Sequence, residues 1–313
     1  MAFINKVCDK VFVINMEKDT ARLKAFDDHM KGIKYDRFNA INGSKIIKDH
    51  RLTDYCSTFC TDGTKGCALS HHSIWDIMIK NNYKHVLIFE DDAIIDADFD
   101  RKFNDIWNHK PADYDIIYFG CIYGCSDNSI GNSIFKKLTG TESTPVNEFI
   151  HTTNGSAGTH GYLISLEGAK KFSNKPIAGH IDIQIMRWIR EYNYNAYYTS
   201  INMVETSQDN GSLSDTYPLL LNSVLRKITI NNLKKPSTLD WGASENWLKL
   251  GPLNINFLIV LLILFVSILP VKYYSFVGLW LLVEFALSGD FKNTLRYGIL
   301  LGLPMILKSY FYG

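Results

Sequence analysis

Short apolar runs alternate with charged, helically spaced stretches along the first two thirds of the chain. Val11–Asn15 (VFVIN) reads as an apolar strand, followed by a charged amphipathic helix from about Lys18 to Lys31 and a second strand at Tyr35–Asn39. Gly66–Asn82 reads as a helix with Cys67, Ser70, Ile74, Ile77 and Met78 spaced along one face. The run His85–Phe89 lacks polar alternation, as expected of a strand covered on both faces. Tyr114–Phe119, Thr159–Ser165 and Ala196–Thr199 read as further strands, and Glu167–Phe172 and Ile181–Glu191 as helices. This alternation implies βαβ units, an α/β fold and a mostly parallel central sheet. The sequence contains no internal repeat, no G-x-G-x-x-G and no P-loop.

The pattern changes near residue 250. Residues 1–217 have the texture of an α/β domain, and 218–250 form a juxtamembrane linker containing Arg226, Lys227, Lys234, Lys235 and Lys249. Residues 251–313 carry apolar stretches at Leu253–Leu269, Tyr273–Ser288 and Tyr297–Phe311. The first has no charge over about seventeen residues, the lower limit for a bilayer span, and Tyr and Trp flank the set. The expectation is a C-terminal helical membrane region of two or three segments, hence a multi-pass membrane protein. Basic residues on both flanks of the first two segments put the catalytic domain on the cytosolic side. The N-terminus lacks the apolar core of a signal peptide, and the sequons at Asn154 and Asn210 fall in the expected site, both of which agree with that side.

Composition narrows the function classes. A net charge of +1, with 21% of residues charged, excludes the basic excess of a nucleic-acid binder. The pairs Cys56/Cys60 and Cys121/Cys125 lack the two-residue zinc spacing, so these cysteines, with Cys8 and Cys67, are expected to be free thiols.

The strongest chemical signal is the end of HVLIFEDD. Glu90, Asp91 and Asp92 stand at the carboxyl edge of a buried strand, where open α/β sheets place their ligands. Adjacent carboxylates raise one another's pKa unless a cation neutralises them. Hard oxygen ligands suit Mn²⁺ or Mg²⁺, and such ions suit a phosphate-bearing substrate.

The segments VINMEKDTARLKAF, GCALSHHSIW, VLIFEDDAII, GTHGYLISLEGAKKF, HIDIQI and DNGSLSDT, in that order, resemble glycosyltransferase family 25, the lipooligosaccharide and collagen galactosyltransferases. The resemblance covers roughly residues 8–216. It implies a GT-A type nucleotide-sugar-binding fold, a UDP-sugar donor, a divalent metal and inversion at the anomeric carbon. The transferred hexose would be galactose, or glucose, and the acceptor a hydroxyl of a glycan, a lipid-linked sugar or a protein.

Carried over residue by residue, the resemblance puts the donor nucleoside at Ile14 and Asn15 with Arg22 nearby. It puts pocket residues at Ser70, His71, Thr159, His160 and Gly161, and metal ligands at Glu90, Asp91 and Asp92. Asp182 matches an acid facing the reaction centre, the candidate general base; Gln208 and Asp209, with Asp215, match a late active-site loop. This chain has Glu205 where collagen-modifying members carry a histidine, which leaves the late metal ligand open. Structural alternatives stand beside several of these roles: Asn15 as a helix cap, Arg22 as a solvated charge, His160 as a packed core histidine. The competing function is a catalytically inactive membrane-tethered sugar-binding module of the same fold.

Overall fold

The computed structural model describes residues 1–30, 32–120, 124, 130–206, 246–251, 253–288 and 291–312. The chain divides into two compact units, Met1–Gly211 and Ser212–Gly313.

In the first unit the described elements run α1 (Ile4–Val7), β1 (Lys10–Asn15), α2 (Thr20–His29), β2 (Asp36–Asn39), α3 (Asp54–Phe59), α4 (Asp62–Asn81), β3 (His85–Glu90) and β4 (Ala93–Ile95). They continue with α5 (Phe99–His109), β5 (Ile116–Tyr118), α6 (Ile130–Thr139), β6 (Ile150–Thr152), β7 (Gly161–Ser165), α7 (Leu166–Ser173), α8 (Ile181–Tyr192), β8 (Ala196–Thr199) and β9 (Val204–Thr206). Seven strands join in the order β2-β1-β3-β7-β5-β8-β6. The pairs β1/β2, β1/β3 and β5/β8 are parallel, whereas β7 runs against β3 and β5, and β6 against β8. The mixed α/β class and the mostly parallel sheet therefore hold, with β7 and β6 reversed.

Both faces of the sheet are covered. Phe12, Ile14, Ile88, Ile116, Tyr162 and Ile164 pack with residues of α4, α7 and α8 on one face. Their strand neighbours Val11, Val13, Leu87, Phe89, Ile117 and Leu163 pack with Phe26 of α2 and Phe99, Phe103 and Ile106 of α5 on the other. Successive strand side chains point to opposite faces, so a sheet buried on both must be apolar at every position.

The expected membrane region is overturned. Among the described residues no helix is long and apolar enough to cross a membrane. The apolar run that begins at Leu253 is divided: Leu253–Asn256 pairs with Asn246–Leu250 as an antiparallel hairpin. A helix then starts at Phe257, with the Asn256 side chain accepting from the Ile259 amide at 2.8 Å. That cap leaves a helix of 12 residues, Phe257–Ile268, followed by one of 15, Tyr274–Ser288. At 1.5 Å per residue they reach about 18 and 22 Å, against about 30 Å of hydrocarbon. The third, Phe291–Tyr312, has 22 residues but contains Lys292, Arg296, Pro304 and Lys308. The multi-pass membrane localisation, and the cytosolic side assigned through it, fall with the spans.

Cysteine pairing also differs from expectation. Cys56 and Cys60 form a disulfide across the end of α3, with Cα atoms 4.6 Å apart. Cys8 is free, and Cys121 and Cys125 lie outside the described residues.

Candidate functional site

The carboxyl ends of β1 and β3 lie side by side, with Ile14 paired to Glu90, and the chain after β3 turns immediately into β4. This places Glu90, Asp91 and Asp92 at the expected edge but in two environments.

Asp91 and Asp92 face Arg22 of α2. An Arg22 terminal nitrogen lies 2.6 Å from Asp91 Oδ1 and 3.1 Å from Asp92 Oδ2. Asn15, 1% exposed at the end of β1, donates through Nδ2 to Asp91 Oδ2 at 2.7 Å and to the Asp19 carbonyl at 3.1 Å. Burial raises the Asp91 carboxyl above its usual range despite Arg22 and Asn15. Burial first, then the charges of Glu90 and Asp91, pushes Asp92 up to about 7 against the pull of Arg22. Asp92 Oδ1 is buried with no partner among the described residues.

Glu90 shares its sheet face with Ile88 and meets α4. Thr159 donates to Glu90 Oε1 at 2.5 Å, and His71 Nε2 lies 3.3 Å from the same oxygen. Burial pushes this carboxyl up, but the hydrogen bond and charge of His71, then Thr159 and His160, outweigh it and hold Glu90 at about 2. Behind His71, Tyr162 joins a buried chain. Trp75 Nε1 donates to the Tyr162 hydroxyl at 3.0 Å, and that hydroxyl lies 2.9 Å from His71 Nδ1. The Tyr162 hydroxyl, already accepting from the indole, can donate to Nδ1 or accept a second bond from it, and His71 faces Glu90 through Nε2 in either case.

Asp182, 8% exposed, stands in the first turn of α8, its Oδ1 accepting from the Ile183 amide at 2.7 Å. Burial raises its pKa and the Glu90 charge adds to the rise, although His180 and the Ile183 amide oppose it. His180 Nε2 lies 3.3 Å from Thr64 Oγ1, tying the start of α8 to the start of α4.

The remaining sequence candidates divide. Ser70 is occupied structurally: its hydroxyl donates to the Gly66 carbonyl at 2.7 Å and accepts from the Ile41 amide at 2.9 Å. Ile14 packs in the core, so only its backbone faces the edge. His160 is 4% exposed, its carbonyl accepts from the Glu90 amide at 3.2 Å, and its Nδ1 has no partner among the described residues. Gly161 supports the strand by its lack of a side chain, since a Cβ there would lie 2.9 Å from Val204 Cγ1. Glu205 is on β9, paired with Ile94 of β4. Gln208, Asp209, Asp215 and Asn210 lie outside the described residues. Sequence reasoning missed Cys67 beside His71, and also Trp75 and Tyr162 behind it. Cys67 and Trp75 stand in the same helical segment as His71 and were legible there; Tyr162 read only as a strand apolar.

Two donor sets fit a metal unequally. The ligand atoms of Cys67, His71 and Glu90 lie within 4.8 Å of one another, a thiol–imidazole–carboxylate set of the kind zinc takes. However, His71 Nε2 and Glu90 Oε1 face each other at 3.3 Å, and Thr159 donates to the same oxygen, so a metal in this set would have to displace those contacts. Asp91 and Asp92 offer hard oxygens, and the orphaned Asp92 Oδ1 is an acceptor that a cation would satisfy. That pair fits.

Comparison with known proteins identifies the family. The family model described as glycosyltransferase family 25 (LPS biosynthesis protein) matches residues 8–182, more than half of the chain. A glycosyltransferase 25 family member of Anopheles gambiae is 31% identical over 179 residues, 51% of this chain and 28% of its own length. Procollagen galactosyltransferase 2 of Homo sapiens is 29% identical over 183 residues, 52% of this chain and 27% of its own. The probable inactive glycosyltransferase 25 family member 3 of Bos taurus is 28% identical over 122 residues, 37% and 18% of the two chains. The chain thus spans less than a third of the length of each of these relatives. With the family model matched across β1, α4, β3, β7 and the start of α8, this chain belongs to glycosyltransferase family 25.

Proposed function

We propose that this chain transfers a hexose, galactose by preference and glucose as the variant, from a UDP-sugar to an acceptor hydroxyl with inversion. The observation that carries the reading is the half-buried acidic couple, Asp91 and Asp92, held by Arg22 at the carboxyl end of β3; the buried acid Asp182 in the first turn of α8 supports it as the candidate base. Family membership supports glycosyl transfer, and the procollagen galactosyltransferase relatives support galactose.

Each residue would act through its own chemistry. Asn15 fixes the Asp91 carboxylate, so the acidic couple is set before the donor arrives. Arg22 brings a fixed positive charge to the place where the diphosphate would develop negative charge on departure. A divalent cation held by Asp91 and Asp92 would supply further charge neutralisation for that leaving group. Asp182 would accept the proton of the attacking hydroxyl, and a raised carboxyl pKa makes it a better base near neutral pH. Inversion needs no covalent enzyme intermediate, so no nucleophilic side chain is required.

One observation favours a second reading, sugar-nucleotide binding without turnover. Arg22 already neutralises both Asp91 and Asp92, and the relatives include a probable inactive member. A UDP-release screen across UDP-sugars, with Mn²⁺ and with EDTA, separates the two. Release stimulated by Mn²⁺ from UDP-galactose supports transfer. Saturable binding of the same donor with no release above background would replace transfer by binding.

A further inference from the structure

Four residues form a row across β3, β7, β5 and β8: Ile88, Tyr162, Tyr118 and Tyr198 are register partners and line the sheet face that meets α4 and α8. The hydroxyl of Tyr162 is satisfied from two sides, by Trp75 and by His71. The hydroxyl of Tyr118 is not. Tyr118 is 1% exposed, and its hydroxyl has no hydrogen-bond partner among the described residues. Buried hydroxyls in folded proteins are nearly always paired, because leaving one dry and unpartnered forfeits its hydration without return. A chain that needed only apolar filling at this position would be better served by phenylalanine.

The surroundings indicate what would satisfy it. Tyr118 is the register partner of Tyr162, whose hydroxyl meets His71 beside Glu90, and the Asp182 charge adds to burial in raising the Tyr118 pKa. His160 Nδ1, on the loop entering β7, is a second buried polar atom without a partner among the described residues. Along the edge the order is β1, β3, β7, β5. If β1 and β3 receive the nucleoside and diphosphate, β5 lies two strand spacings farther, about 10 Å, roughly the span of one hexose. Polyhydroxylated rings present the donors and acceptors that these orphaned atoms lack.

We infer that Tyr118 is a ligand-binding residue whose hydroxyl hydrogen-bonds a hydroxyl of the donor hexose beside Asp182. This rests on the glycosyl-transfer reading and adds the sugar subsite to it.

Tyr118→Phe tests it, because a ligand contact and a structural contact move stability in different directions. The variant loses no hydrogen bond to the described residues, so its melting temperature without ligand should equal or exceed that of the wild type. Titration with UDP alone should give the same Kd within twofold. Titration with UDP-galactose should give a Kd weaker by about fivefold to tenfold, the effect of one hydrogen bond. An unchanged Kd for UDP-galactose overturns the assignment, as does a lowered melting temperature, which would mean that an internal water or side chain already pairs the hydroxyl. The wild type distinguishes the two levels of failure. A wild type that binds UDP-galactose no better than UDP and releases no UDP refutes the transfer reading and this inference with it. A wild type that prefers the sugar nucleotide, with an unaffected variant, refutes Tyr118 alone.

Discussion

The acidic run at the end of β3 holds carboxylates in two opposite states. On the side facing α4, Glu90 is hydrogen-bonded by Thr159 and His71 and kept ionised, at about 2. On the side facing α2, Asp92 has one oxygen near Arg22 and one with no partner, and rises to about 7. Charge count alone would treat the three acids as one cluster. The difference comes from strand geometry, which sends Glu90 into a network of fixed donors and leaves the aspartates with one shared guanidinium and, for Asp91 alone, the Asn15 amide. A carboxylate already surrounded by donors is scaffold, whereas one short of partners is prepared for a ligand.

The comparison can be broken first at the chemistry. Asp182→Asn should lower transfer by at least about a hundredfold while leaving the Kd for the UDP-sugar nearly unchanged, since a base acts only in the transition state. Steady-state kinetics paired with calorimetric titration decide it, and retention of more than about a tenth of the wild-type rate would move the base elsewhere.

On the scaffold side, Glu90→Gln removes the negative charge that His71 and Thr159 face. Urea unfolding at pH 7 should show a loss of about 2–3 kcal/mol, as for a buried charged hydrogen bond. No measurable loss would mean that Glu90 is not the scaffold member of the run. Trp75→Phe reaches the same network from behind, taking away the donor to Tyr162 and part of a fully buried ring system. The expected cost is about 2 kcal/mol, the hydrogen bond and the cavity together, with the UDP-sugar Kd unchanged.

The smallest effect is a control away from this edge. The hydrogen bond from Arg51 holds Asp49 at about 2, against a usual 3.8. A depressed folded pKa contributes stability above the unfolded value and loses it as pH falls through the folded one. Asp49→Asn should therefore cost about 1 kcal/mol at pH 7 and progressively less between pH 4 and pH 2. A cost that stays constant across that window would remove the ion-pair explanation.

Much of this was legible in the sequence, and the failures have physical causes. VFVIN and HVLIFEDD read correctly as strands because a doubly covered sheet removes polar alternation, the same feature that hides which face each residue takes. The reversal of β7 was not legible, since strand direction is set by tertiary pairing and not by local pattern. Helix α5 was legible but overlooked: Phe99, Phe103 and Ile106 recur at helical spacing and are all buried. At the C-terminus hydropathy misled. An uncharged run from Leu253 to Leu269 does not specify one helix when a strand and an asparagine cap divide it at Asn256. At the candidate site, His71, Thr159, Asn15 and Arg22 were named from the sequence, but which carboxylate each would meet was not. That depends on the strand's alternation and on the helices packed against each face. Ser70 was misplaced for a simple reason, as its hydroxyl bonds within its own helix and to the Ile41 amide.

The most direct test of the account is Mn²⁺ binding measured on Asp92→Asn and Glu90→Gln, by electron paramagnetic resonance of the free ion in the presence of UDP. The account predicts that Asp92→Asn abolishes binding and Glu90→Gln retains it within about threefold. Loss in Glu90→Gln with retention in Asp92→Asn would place the ion among Cys67, His71 and Glu90 and contradict the division of the two sides.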